Sequence, residues 1–351
     1  MQKSSIGTEL DLAILGALEV QPRIELKKVA QILGVSNSTI TRRWDLMQSE
    51  GAAWTTVIPG ARFLDTGWSA FVTIECDPQR EQELAKALCN EPAFGTVALV
   101  THHRQFYIDC FAPSHNEGME MLQGIFRRLP GIRSRHISPI SRVYRQANEW
   151  NNGTLATTEK QSLEDALPSA SQYFLPDELD AEIVSILFSD ARQSWQNIAV
   201  ILGASAQTIQ RRTKKLVSSG LIAFRCDSGR LSSTGLQEFS IQWSAPSLDV
   251  DVIGQMLAND PSCRISAKTI DSSNLTATFW LRNLKSAHNH ENSVLNTSPR
   301  SYVQERFLTL STIKRGGQIL DAEGRRVRSI PIPILRAGKP YLPPHSSSSS
   351  A

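Results

Sequence analysis

Two short segments gather side chains suited to one chemistry. The first holds Ser36, Asn37, Ser38, Thr39, Thr41, Arg42 and Arg43; the second holds Ser205, Gln207, Thr208, Gln210, Arg211, Arg212, Lys214 and Lys215. Guanidinium, ammonium, amide and hydroxyl groups hydrogen-bond to the phosphates and base edges of a duplex. Most charged outer faces of helices are merely solvated. The same arginine pair at matching places in two segments, each shortly after a glycine, argues for a shared role instead. Motifs for catalysis do not compete: there is no Gly-rich phosphate loop, Ser-centred elbow or H-E-x-x-H. Five cysteines stand singly without a C-x-x-C pair, and His288 and His290 sit two apart, a spacing that does not face one ligand from a helix. No catalytic residue, metal or cofactor is expected, and the chain is read as a non-enzyme.

The elements that must carry these residues occur twice. Shifting the sequence by 169 places lays Glu9-Leu10-Asp11 on Glu178-Leu179-Asp180, and the register runs without a gap to Gly51 on Gly220. Ile14, Ala17 and Leu18 follow Leu10 at helical spacing, as Ile183, Ile186 and Leu187 follow Leu179. A second helix carries Leu26, Val29, Ala30 and Leu33, or Trp195, Ile198, Ala199 and Leu202. Gly34 and Gly203 end it, and Ser36 and Ser205 are placed to cap a third helix. That third helix turns Ile40, Trp44 and Met47, or Ile209 and Leu216, inward. Helix, short Gly turn and helix make a helix-turn-helix head, winged or plain, whose last helix enters a major groove. From Gly203 to Arg225 the second head carries a local +5; from Ser36 to Gly51 the first is neutral, so the second is expected to supply more of the salt-dependent binding.

After the first head the pattern reads strand 68–76, helix 79–89, strands 96–101 and 105–111, helix 116–129 and strand 132–144. The second copy repeats it at 239–244, 250–259, 264–270, 275–281, 286–295 and 302–313. The order is βαββαβ, the ferredoxin-like plan. Such a sheet has helices on one face only, and a second copy in the same chain could cover the other. The fold expected is therefore α+β: winged-helix-like heads at 1–60 and 177–232, ferredoxin-like domains at 66–146 and 236–320, a linker at 147–176, and a C-terminal extension and disordered tail at 321–351. With 351 residues, 40% apolar, several cores are required; a net charge of +3 leaves the partner to the distribution of charge. No apolar run approaches a membrane span, and a reducing cytoplasm suits the cysteines.

The Leu-Asp opening, the ILG-x-S turn, the arginine pair, a glycine eight residues on and the βαββαβ order together resemble the Lrp/AsnC family of transcriptional regulators, over nearly the whole chain and twice. The resemblance implies that the heads bind double-stranded DNA through Ser36 to Arg43 and Ser205 to Arg212. It implies that the second domain, the RAM or effector domain, dimerises through its sheet and binds an amino acid or another small metabolite. The turns near which that family binds effectors are here Thr101, His102, His103 and Arg104, and Asp271, Ser272, Ser273 and Asn274. The segment Asp321 to Arg326 with its Ile-Pro-Ile-Pro sequel resembles tandem actinobacterial members. The chain is accordingly expected to be a cytoplasmic, sequence-specific regulator on a pseudo-palindromic operator. It would act as a homo-oligomer or an intrachain pseudo-dimer, with Asn37, Thr41 and Arg42 reading one half-site and Gln207, Gln210 and Arg211 the other. Siroheme decarboxylases share this architecture and form the alternative; their Tyr-Arg-Arg stretch is missing, and His102-His103 with Arg104 imitates their histidine site.

Overall fold

The computed structural model describes residues 6–103, 105–150, 152–155, 176–229 and 235–335. Each head opens on a helix whose first turn closes on itself. Thr8 and Asp11 form a capping box on α1 (Glu9–Val20), and Asp177 and Asp180 form the equivalent on α6 (Glu178–Ser189). The second helices, α2 (Leu26–Ile32) and α7 (Trp195–Leu202), stop before glycines at φ +66° and +63°, backbone that favours glycine. Ser36 and Ser205 then accept from the Thr39 and Thr208 amides and start α3 (Asn37–Ser49) and α8 (Ala206–Ser218). The expected inner faces are buried, and Thr213 joins that of α8 by donating its hydroxyl to the Ile209 carbonyl at 2.9 Å.

A strand follows each head, β1 (Ala53–Pro59) and β6 (Ile222–Ser228), and the two pair antiparallel with each other. Thr56 lies opposite Arg225. These are equivalent positions of the repeat, so a pseudo-two-fold axis passes through them. The heads also grip each other reciprocally. Arg192 donates to the Pro22 carbonyl at 2.8 Å, while its counterpart Arg23 donates to Ala191 and Gln193 and lies 3.6 Å over the Trp195 ring. Desolvation in that contact pulls the Arg23 guanidinium down to about 10.

Both βαββαβ units are present: β2 (Trp68–Cys76), α4 (Glu81–Asn90), β3 (Phe94–Val100), β4 (Phe106–Ala112), α5 (His115–Arg128) and β5 (Ile132–Arg145), then β7 (Gln237–Ser244), α9 (Val250–Ala258), β8 (Cys263–Thr269), β9 (Leu275–Leu281), α10 (Ala287–Thr297) and β10 (Tyr302–Arg315). The last strand of each copy is long because it serves two sheets. β5 pairs with β2 as far as Pro139 and with β8 from Ile140; β10 pairs with β7 as far as Leu308 and with β3 from Thr309. The eight strands close into a ring, the helices lie outside, and the bare faces meet inside around Phe71, Val100, Tyr107, Ala267 and Phe307. Each sheet covers the face that the other leaves open.

The segments expected to be linker and C-terminal extension do structural work where they are described. Asn152 and Thr154 donate to the Leu12 carbonyl, and Leu155 packs on the first head. Residues 156–175, within the expected linker, lie outside the described residues. Strands β11 (Gln318–Leu320) and β12 (Arg326–Ser329) lead a segment that ties both heads together: Arg326 donates its amide to the Gly51 carbonyl at 2.7 Å, and Ile332 and Ile334 are buried in the core of the second head. The remainder of the expected tail, 336–351, lies outside the described residues. No helix among the described residues is long and apolar enough to cross a membrane.

Removing the buried side chain of Ile332 opens a cavity in the second head, so Ile332→Ala should cost about 2–5 kcal/mol. Urea denaturation followed by circular dichroism measures it; a loss below about 0.5 kcal/mol would show that this segment does not hold the head.

Candidate nucleic-acid interface

Helix α3 is fixed against α1, and α8 against α6, by one repeated device. The Asp11 carboxylate takes the amides of Gly7 and Thr8 at 2.9 Å, and on its other side it receives the Arg43 guanidinium, with Nε at 2.7 Å. Both residues are buried, Arg43 at 7% and Asp11 at 0% exposure. Burial opposes the Asp11 charge, but the bonds from Arg43, Thr8 and Gly7 outweigh it and hold the carboxyl below its ordinary value. In the second head Arg212 bonds Asp177 at 2.7 Å and Asp180 at 3.2 Å. Burial and the Asp177 charge push the Asp180 carboxyl up.

The second arginine of each pair is therefore a bolt between helices. Arg43 and Arg212 were expected at the duplex; the structure corrects this, because their guanidinium groups are spent on acidic groups at the start of the first helix of each head. The signal lay in the sequence: Asp11 and Asp180 stand at the third position of the first helices, 32 residues before each arginine. The local +5 of the second head shrinks in the same way. Arg225 is 8% exposed and ion-paired with Asp227, which leaves Arg211, Lys214 and Lys215 on the outer side.

The other expected contacts share an exposed face. Ser36, Asn37, Ser38 and Arg42 are exposed on the first head, and Ser205, Gln207, Gln210, Arg211, Lys214 and Lys215 on the second. Among the described residues Arg42, Arg211 and Lys214 have no ion-pair partner. The hydroxyls of Thr39 and Thr208 lie 2.8 and 2.9 Å from those of Ser36 and Ser205, so they brace the caps; Thr41 is half-buried. Beside Arg42 the exposed Asp45 reduces the field of the first head, while α8 displays no acidic residue.

The turns expected near an effector join the two copies. Thr101 exchanges bonds with Leu308, its amide donating to the Leu308 carbonyl at 2.9 Å and its hydroxyl accepting the Leu308 amide at 2.9 Å. The His102 and His103 rings lie 3.9 Å apart; Arg104 lies outside the described residues. On the opposite side Ile270 donates to the Pro139 carbonyl, and the Asp271 carboxylate accepts from Ser138 at 2.6 Å and contacts His136. Ser272 bonds Asp271, the Ser273 carbonyl accepts from Thr269, and Asn274 bonds the backbone of Ala245. These turns are staples at both seams of the ring.

The AsnC-type helix-turn-helix domain matches residues 8–48 and 177–217. An AsnC-type helix-turn-helix domain thus stands in each half of the duplicated chain. Among curated proteins none shows significant sequence similarity. Among solved structures, the siroheme decarboxylase NirDL is similar at 16% identity over 88% of this chain and 93% of that one, with a TM-score of 0.56. A co-complex of NirDL with an iron-uroporphyrin III analogue gives the same figures. Escherichia coli AsnC aligns with 39% of this chain and 94% of its own at 21% identity, TM-score 0.33. One expectation is thereby corrected. The chain was read as a non-enzyme, yet an enzyme has this two-repeat architecture along nearly its whole length.

Arg43→Ala strands a buried carboxylate and should cost about 3–5 kcal/mol, whereas Arg42→Ala should stay within about 0.5 kcal/mol. Because the Asp11 carboxyl sits below its ordinary 3.8, its contribution is present above that pH and is lost as acid protonates it in the folded head. Urea titrations at pH 6 and pH 3 check both. Equal stability losses for the two variants, or an acid-sensitive component as large in Arg43→Ala as in the parent, would contradict the bolt.

Proposed function

We propose that the protein is a sequence-specific DNA-binding transcriptional regulator whose two heads read an imperfect palindrome. The observation that carries this reading is the outer face of α8. There Gln207, Gln210, Arg211 and Lys214 stand exposed on a helix bolted from behind by Arg212. Bidentate guanidinium and amide groups discriminate bases; lysines neutralise phosphates. The heads are joined across a pseudo-two-fold axis, which suits half-sites about one helical turn, ~34–36 Å, or a multiple apart. The halves differ because α3 offers Asn37, Thr41 and Arg42 beside Asp45. The second head supplies the larger share of salt-dependent affinity.

A second reading is decarboxylation of a tetrapyrrole such as siroheme, favoured by the likeness to NirDL along 88% of the chain. Incubating the protein anaerobically with siroheme and following the tetrapyrrole by mass tests it: loss of carboxyl groups as carbon dioxide supports the reading, and unchanged substrate removes it.

Gel shifts on the DNA upstream of the protein's own gene test the first. Arg211→Ala should weaken binding by about 1–3 kcal/mol and relax preference at one base pair, and Lys214→Ala should weaken all sequences alike and lower the salt slope by about one. Parent-like affinity in both variants would remove α8 from the interface.

A further inference from the structure

A cavity of about 110 Å³ lies inside the ring, beneath the β1–β6 ribbon that joins the heads. Phe71, Phe111, Ile140 and Ile265 supply apolar walls, and Ser69 and Asp109 supply polar groups. Two features mark it as a built site. Ser69 is 3% exposed, and its Oγ has no hydrogen-bond partner among the described residues. Asp109 is held by the Thr96 amide, yet no cation lies within ion-pair distance of it among the described residues. Desolvation pushes its carboxyl up. Two arginines also line the cavity, but both are engaged elsewhere: Arg225 with Asp227, and Arg145 with the carbonyls of Ala258 and Asp260.

The repeat indicates what the cavity fits, because in the second copy a ring and a carboxylate at this level of the sheet accompany a cationic side chain. Strand pairings place Glu238 where the first copy has Ser69, and Trp280 where it has Phe111. In the matching bulges Arg264 stands where the first copy has Gly95. The Arg264 guanidinium lies 3.8 Å over the Trp280 ring, whose Nε1 donates to Glu238 at 2.9 Å. In the first copy the aromatic ring remains, a carboxylate stands at Asp109, and the guanidinium is gone. A Cβ at Gly95 would come within 2.6 Å of an Asp109 oxygen and 2.7 Å of the Phe111 ring, so only glycine lets these two side chains approach the backbone of β3 as they do.

We propose that the cavity binds a small alkylguanidinium or alkylammonium ion, its cation between Asp109 and the Phe111 ring and its hydroxyl contact at Ser69. Cations favour the faces of aromatic rings, the more so when desolvated. An arginine side chain beyond Cβ has about six heavy atoms, as does benzene, which occupies an engineered cavity of about 150 Å³. A cavity of about 110 Å³ is of the order that a six-heavy-atom ligand needs. The site goes beyond the DNA-binding reading and does not depend on it.

Ethylguanidinium, with the same heavy atoms as that side chain, is the probe. At 5 mM it should raise the thermal midpoint of the full chain by about 2 °C or more over sodium chloride at equal ionic strength. Propanoate and 1-butanol should give no such rise. Asp109→Asn keeps the shape and the Thr96 contact but removes the charge, and it should abolish the response. No rise with ethylguanidinium, an equal rise with propanoate or butanol, or a parent-like response in Asp109→Asn would overturn the proposal. The measurement contains no DNA, so its outcome is separate from that of the gel shifts.

Discussion

The antiparallel pairing of residues 53–59 with 222–228 is the constraint on which the architecture turns. A lone edge strand exposes a row of unmet amides and carbonyls. Here the strand that leaves one head meets that demand in the other, and the axis through Thr56 and Arg225 then relates everything on either side. Arg23 and Arg192 cross over the same axis, and the ring of strands below obeys it too, with Pro139 and Leu308 as matched points where each long strand changes partner. The heads and the ring share one symmetry because a single ribbon imposes it.

Within each head a division of labour follows from one helical turn of geometry. Neighbouring arginines on a helix point about 100° apart, so they cannot both face outward from a helix packed on one side. One is drawn to the capping aspartate of the first helix; the other is left in solvent. The bolted arginine stiffens the helix that the free one decorates, which limits the entropy lost when a rigid surface meets its partner. In the first head that bolt is nearly sealed from water, whereas in the second it shares two aspartates at a more open site.

Much of this was legible in the residues. The register of 169 fixed both heads, and the helical stripes predicted the buried faces of α3 and α8 through Ile40, Trp44, Ile209 and Leu216. Strand and helix positions in both βαββαβ units fell within a few residues, because β-branched and aromatic runs such as Trp68–Cys76 mark strands by their composition. What escaped was long-range. The partners of β1 and β6 lie about 170 residues apart, and neither strand alternates, being buried along most of its length. Arg43 and Arg212 read as surface because their aspartates sit 32 residues away, beyond any local pattern. The Ile-Pro stretch of the C-terminal extension has no regular period, so nothing local marks it as core, yet Ile332 and Ile334 fill one. Thr101 and Asp271 looked like open turn residues because their partners Leu308 and Ser138 lie in the other copy.

Covalent fusion gives the ribbon one more property. Where two separate polypeptides share such a seam, dilution dissolves it, and occupancy of a paired target falls steeply once the partners separate. Here the opposing strands belong to one molecule, so their encounter has an effective concentration set by tether length and not by how many copies the cell holds. A single molecule carries both halves at any abundance, and the halves remain free to drift apart in sequence, since no swapped homodimer has to satisfy the same surface twice.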